Sequence, residues 1–203
     1  MDKFQVISGP MFAGKSSKLI ELAREYTAQG LQVVAVKPAI DKRYSVADII
    51  AHTGAKMSDV CIPIASVPVD ISNMENIQFL PVEFFKKQSM DVIIVDEAQF
   101  FTKKGIAMLE LLGNIAGTIV FAGLDLDAFG KPFGCMGDLL CKADKVTKLE
   151  SICAVCQKPS NRTFRKDVAD DRTVVIGGAD LYESRCLEHW TEGMKSYFSE
   201  QWL

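Results

Sequence analysis

Residues 9–16 read Gly9-Pro-Met-Phe-Ala-Gly14-Lys15-Ser16. The string fits G-x-x-x-x-G-K-[ST], a loop that wraps phosphate groups. Its surroundings fit as well. Phe4–Ser8 (FQVIS) reads as a short apolar strand, and 16–29 (SSKLIELAREYTAQ) reads as a helix. An ordinary glycine turn would satisfy the string alone, but not strand, loop and helix in this order. The glycines let the backbone curl so that its N–H groups face phosphate oxygens. The helix adds the positive end of its dipole. Lys15 is then the candidate for the terminal phosphates and Ser16 for a Mg²⁺ ion, with Pro10, Met11, Phe12, Ala13 and Ser17 completing the loop.

Working outward, Leu19, Leu22, Ala23 and Tyr26 form one helical stripe, and Gly30 stands where a helix-ending glycine belongs. A second buried strand is predicted over 31–36, closed by Lys37-Pro38, and another short one over 60–64. Residues 40–57 are polar and weakly patterned and read as a loop. A helix over 82–87 leads to Val92-Ile-Ile-Val95, an unbroken apolar run of the kind found in strands covered on both faces. A helix over 106–112 and a strand over 118–122 follow. Strands alternating with helices predict an α/β fold with a central parallel sheet. The alternation fades after Leu149. Residues 151–192 are rich in cysteine and charge and read as a separate lobe without a core of its own. This gives a nucleotide-binding domain over 1–150, the small lobe over 151–192, and a tail over 193–203.

With 203 residues, 48% hydrophobic and 24% charged, the chain has the composition of a globular protein. Its net charge of −3 argues against a nucleic-acid surface. No apolar run approaches the roughly 18 residues of a membrane span. These features predict a soluble protein of the cytoplasm, with no membrane and no nucleic-acid partner. The six cysteines are then thiols or metal ligands rather than disulfides.

The strand over 92–95 runs into Asp96-Glu97-Ala98-Gln99. An acidic residue at such a strand end is the second half of a P-loop site, where Asp96 holds Mg²⁺ directly or through water. Side chains alternate along a strand, so Asp96 and Glu97 are expected to face different ways, leaving Glu97 for the acceptor substrate. Phe100 and Phe101 read equally as core or as the floor of a base pocket. Cys153-x-x-Cys156 and Cys186-x-x-His189 have knuckle spacing and together offer four zinc ligands. Four protein ligands leave no position for a reactive water, so this zinc is structural. Cys61, Cys135 and Cys141 lack such spacing and read as small buried residues. His52 reads as a turn or surface histidine.

Together these elements resemble the type II, cytosolic-type thymidine kinases. The resemblance rests on Gly9-Pro-Met-Phe-Ala-Gly-Lys-Ser16, Lys37-Pro-Ala-Ile-Asp41-Lys-Arg43-Tyr44, Asp96-Glu-Ala-Gln-Phe-Phe101 and Gly123-Leu-Asp125. It continues through Lys131-Pro-Phe-Gly134, Val175-Ile-Gly-Gly-Ala-Asp-x-Tyr182 and the two zinc pairs. It implies a RecA-like P-loop domain and a zinc lobe carrying a lasso loop that closes over the base. It implies transfer of the γ-phosphate of ATP to the 5′-hydroxyl of thymidine, and of deoxyuridine, in pyrimidine deoxynucleotide salvage for DNA synthesis. Glu97 takes the place of the catalytic base. Arg43, Asp96 and Gln99 join the loop residues at the nucleotide, and Asp41 serves the metal or acceptor end. The base pocket would draw on Met11, Phe100, Leu124, Phe133, Thr163 and Tyr182, with main-chain groups around Val175, Ile176 and Gly177. The resemblance also implies a homotetramer inhibited by thymidine triphosphate.

One segment departs from the family's pattern. The aromatic usually found four residues beyond the leucine is here Ala128, followed by Phe129. Either Phe129 takes over the packing or the pocket is larger on that side. A helicase would also pair a P-loop with Asp-Glu-Ala-Gln, but it needs two such domains and a basic track. A nucleotide switch would bind nucleotide without turning over nucleosides.

Overall fold

Every strand of the central sheet runs parallel to its neighbours. In the computed structural model, which describes residues 3–39, 48–51, 53–60, 62, 64–67, 82–167, 172–175 and 177–201, six strands pair in the order β3-β2-β4-β5-β1-β6. They are β1 (Phe4–Ser8), β2 (Val33–Pro38), β3 (Ile64–Val67), β4 (Val92–Val95), β5 (Thr118–Gly123) and β6 (Lys145–Lys148). The central strands are buried throughout, as unbroken apolar runs require when both faces are covered. Alternate residues serve opposite layers. Val92 and Ile94 join Leu19, Ile20 and Ala23 of α1 (Lys15–Ala28). Ile93 and Val95 instead join Ile106 and Leu109 of α3 (Lys103–Ala116), together with Met136 and Leu139 of α4 (Met136–Lys142). The short helix α2 (Val82–Lys86) precedes β4.

The α/β class and the parallel sheet agree with the sequence pattern, while some boundaries move. The strand expected over 60–64 lies instead at Ile64–Val67, and Met57–Val60 is a 3₁₀ turn whose Met57 is fully buried. Strand β6 has no counterpart in the sequence reading. Its Lys-Val-Thr-Lys run is an edge strand beside β1, largely exposed, and carries none of the apolar signal of a central strand. Cys135 is buried as expected, but Cys141 is exposed because it lies on the outer face of α4. Cys61 and His52 lie outside the described residues.

Beyond the sheet, β7 (Ser151–Ile152) pairs antiparallel with β8 (Pro159–Ser160), and β9 (Arg162–Arg165) with β10 (Tyr182–Arg185). Helices α5 (Leu187–Gly193) and α6 (Lys195–Gln201) follow. Residues 151–192 gain apolar cover from outside their own span. Phe164, Trp190 and Met194 cluster with Phe129 of the main domain, and Tyr197 and Phe198 of α6 pack against them. The aromatic residues that build this cluster are scattered over nearly seventy positions, so no local pattern announces it.

Gly113 faces the sheet from α3. A Cβ there would stand 2.8 Å from Ile119 Cβ and 2.9 Å from its Cγ2. Helix propensity alone would make Gly113→Ala stabilising by about 1 kcal/mol. The contact with β5 reverses the sign, because a β-branched neighbour in a packed interior cannot yield without moving the strand. Gly113→Ala is therefore expected to destabilise by about 1–3 kcal/mol, read as a lower denaturant midpoint. An unchanged or higher midpoint would contradict this packing.

Candidate active site

The parallel arrangement delivers β1, β5 and β4 to one edge with their carboxyl ends together. β1 pairs Ser8 with Gly123, and β4 pairs Val95 with Phe121. The loop after β1 must turn sharply here. Gly9 takes φ 149°, and a Cβ on it would collide with the Leu149 carbonyl oxygen. Gly14 stands at the start of α1 with φ 81°, supplies no capping side chain, and is followed by no acid in the first turn. The helix thus presents its positive end towards the loop uncompensated. Lys15 is buried, and its Nζ donates to the carbonyls of Gly9 at 3.1 Å and Pro10 at 2.7 Å. Ser16 Oγ donates to Asp96 Oδ2 at 2.9 Å, so the loop and the acidic strand end meet across the intervening strand β5. Ala13 belongs to the loop and Ser17 to the first turn of α1.

Asp96 and Glu97 do part, but not through strand alternation, since β4 ends at Val95. Glu97 adopts the left-handed conformation, φ 52°. Among the described residues only Phe12 and Gln157 share a positive φ without being glycine, so two of the three lie at this edge. The Asp96 carboxylate faces Ser16 and also accepts the Glu97 N–H at 2.9 Å. The Glu97 carboxylate turns to the other side, where it accepts a hydrogen bond from Gln99 Nε2.

That other side is a pocket with about 550 Å³ of open space. Glu97 and Phe100 line one wall, Leu124, Ala128 and Phe133 another. Met11 of the loop and Thr163 and Tyr182 of the lobe complete it, with Val175 and Gly177 along its rim. The two phenylalanines after the acidic pair separate: Phe100 lines the pocket and meets the Phe133 ring edge-on at 5.7 Å, whereas Phe101 is core. The choice at 128 and 129 is also resolved. Ala128 faces the pocket, while Phe129 points away, stacks on Tyr197 at 4.6 Å and carries the Arg165 guanidinium 4.9 Å from its ring. Phe129 is therefore not part of the lining, and the wall there is short.

Gln99, assigned to the nucleotide from sequence, spends its carboxamide inside the protein. Besides bonding Glu97, it accepts the Leu124 N–H at 3.0 Å. Leu126, Asp127, Thr173 and Val174 line the pocket without having been expected. Asp127 is buried, which raises its carboxyl above the ordinary range, while the N–H groups of Lys131 and Phe129 oppose the shift. Arg43, Asp41 and Ile176 lie outside the described residues.

The lobe holds the backbone of the phosphate loop at Met11, and Phe12 packs beside Tyr182 and Leu181. Met11 N–H donates to Thr163 Oγ1 at 3.0 Å, and Ser184 Oγ donates to the Met11 carbonyl at 2.6 Å. Adjacent strands β9 and β10 place these two hydroxyls side by side, Ser184 opposite Thr163. Tyr182 hydroxyl donates to the Val175 carbonyl at 2.6 Å and so ties Val175 down at the pocket. Ser184 carries no signal in the sequence, because its partner is 173 positions away.

At the far end of the same hairpins, Cys153, Cys156, Cys186 and His189 bring their ligand atoms within 4.8 Å of one another. Cys156 Sγ lies 3.8 Å from Cys186 Sγ, and Cys153 Sγ 3.7 Å from His189 Nδ1. A tetrahedron with zinc–sulfur bonds of about 2.3 Å has edges of about 3.8 Å. Cys186 to His189 Nδ1 is shorter, 3.1 Å, and spans the first turn of α5, where Cys186 is the N-cap. Burial pushes the Cys153 thiol up, but the N–H groups of Cys186, Cys156 and Val155 outweigh it and bring it down to about 6. The N–H and side chain of His189 likewise lower Cys186. Cys153 and Cys186 are thereby disposed to lose their protons, whereas Cys156 moves up despite the Lys158 N–H and His189 moves up beside Cys186, so a metal would displace protons there.

Comparison with known proteins gives the same picture. The family model described as thymidine kinase matches residues 2–190. A thymidine kinase from Coprothermobacter proteolyticus is 38% identical over 191 residues, covering 91% of this chain and 88% of its own. A phosphate loop joined to an acidic strand end, a pocket beside it and a cysteine–histidine lobe thus occur in a chain that belongs to the thymidine kinase family.

Proposed function

We infer that the protein is an ATP-dependent thymidine kinase, transferring the γ-phosphate to the 5′-hydroxyl of thymidine and also to deoxyuridine. The observation that carries this reading is the position of Glu97, in the lining of the pocket and one residue from the Asp96 that meets the phosphate loop. Lys15, Ser16 and the N–H groups of Gly9 and of 11–17 would hold the phosphates of ATP, with Pro10 shaping the loop. Ser16 and Asp96 would hold Mg²⁺, whose charge supports the developing phosphate charge. Glu97 takes the proton of the 5′-hydroxyl as that oxygen bonds to the γ-phosphorus and the bond to ADP breaks. Phe100 and Tyr182 pack on the base or sugar, Asp41 and Arg43 serve the acceptor and phosphate ends, and the main chain near Val175, Ile176 and Gly177 reads the pyrimidine edge. Family membership further supports a cytoplasmic homotetramer inhibited by thymidine triphosphate and acting in deoxynucleotide salvage. Among the described residues no helix is long and apolar enough to cross a membrane.

Three outcomes follow. In a nucleoside panel with ATP–Mg²⁺, thymidine and deoxyuridine are phosphorylated and deoxyguanosine is not, because a site that pairs a pyrimidine edge leaves a purine's polar groups unmatched. Equal kcat/KM for deoxyguanosine and thymidine would refute the pocket. Glu97→Gln keeps shape but loses basicity, and lowers kcat by roughly 10²–10⁴-fold while thymidine and ATP still bind. A near-normal kcat would place the base elsewhere.

Metal analysis should find one zinc per chain, held by the three cysteines and His189. Zinc binding in such sites contributes on the order of 10 kcal/mol to folding. Cys186→Ser should lose the metal and lower the thermal midpoint. Activity should fall with it, because the hairpin anchored there also holds Met11. Full zinc content and full stability in that variant would remove the assignment.

A further inference from the structure

Gln99 is fully buried and absent from the pocket lining, yet it touches the one carboxylate to which the reaction assigns a proton. A main-chain N–H can only donate, so the bond from Leu124 fixes the amide oxygen of Gln99 on the β5 side. The amide nitrogen is thereby turned to Glu97, where it donates to Oε2. Backbone packs closely about both ends of the residue. A Cβ on Gly123 would stand 2.6 Å from Gln99 Oε1, and one on Gly134 would collide with the Gln99 carbonyl. Only bare backbone fits on either side. Glu97 itself belongs to a left-handed corner just past the end of β4, and no helix or strand geometry aims its side chain.

We propose that Gln99 is the positioning residue of the reaction: it links the end of β5 to Glu97 and fixes the Glu97 carboxylate in the pocket, rather than binding phosphate. This rests on the reading of Glu97 as the base. Leu124, bonded to the other end of the same amide, lines the pocket, so one side chain sets both the acceptor wall and the group that takes its proton.

Two variants separate these roles. Gln99→Glu keeps the shape and still accepts from Leu124, but puts an oxygen where Glu97 needs a donor. Misplacing a reacting group by about 1 Å can cost roughly 10²-fold, so kcat for thymidine should fall about 10–100-fold while KM changes by less than about threefold. Gln99→Met loses both bonds, so kcat falls and KM for thymidine rises as well. In a Glu97→Gln background, Gln99→Met should lower kcat by less than about twofold further, because a residue acting through Glu97 has nothing left to position. Thermal midpoints are measured alongside. If the methionine variant does not fold, the kcat–KM split of the shape-preserving Gln99→Glu decides. Normal kcat in Gln99→Glu, or an equal kcat loss from Gln99→Met in both backgrounds, overturns the positioning role while leaving the base in place. Normal kcat in Glu97→Gln alone overturns the base, and the positioning role with it.

Discussion

The parallel pairing of β1, β5 and β4 is the constraint on which the site depends. Parallel strands bring their carboxyl ends to one edge, and the chain must leave each of them by a loop there. Gly9, Leu124 and Asp96 therefore emerge side by side although they are separated widely in sequence. With β5 placed between the other two, Ser16 and Asp96 converge over it to bond each other, and the residues after β5 become the wall of the adjoining pocket. No further device is needed to bring the glycine-rich loop, the carboxylate pair and the pocket together.

The second dependence is of the loop on the lobe. A phosphate loop is held open by glycine geometry, which makes its backbone easy to bend and equally easy to lose. Two hydroxyls on facing strands of one hairpin, Thr163 and Ser184, take the N–H and the carbonyl of Met11. The same hairpin contributes Tyr182, which holds Val175 over the pocket. Loop, pocket and covering segment are therefore referenced to one piece of β-structure. Its own support comes from the cysteine–histidine cluster and from the aromatic group around Phe164 and Trp190, which adjoin at His189-Trp190. Trp190 Nε1 also donates to the Ala128 carbonyl at 3.2 Å, so the aromatic group is tied to the pocket wall.

Ala128 and Phe129 serve different parts of the structure. An aromatic at 128 would enter the pocket. Here the methyl of Ala128 stands there, and the neighbouring Phe129 serves the lobe instead, between Tyr197 and Arg165. The two side chains leave the backbone in different directions, so the bulk of Phe129 does not reach the pocket. The pocket gains room, and the seam between domain and lobe gains an aromatic contact.

By itself the sequence determined the glycine-rich loop, the acidic strand end, the parallel α/β class and the paired cysteine–histidine cluster. Each is written within a few neighbouring residues, because backbone curl, apolar runs and knuckle spacing are local physics. The edge strand β6, the lobe's aromatic cluster and the exposure of Cys141 were not legible, since an exposed edge carries little apolar signal and the rest depends on which face packs. Only the tertiary structure decided that Phe100 faces the pocket while Phe101 is core, that Phe129 turns away, and that Gln99 is directed to Glu97 and Leu124. The reason is the same in each case. A side chain's partner here comes from another strand or hairpin, up to 173 positions off, and the register that brings the two together is set by the sheet as a whole.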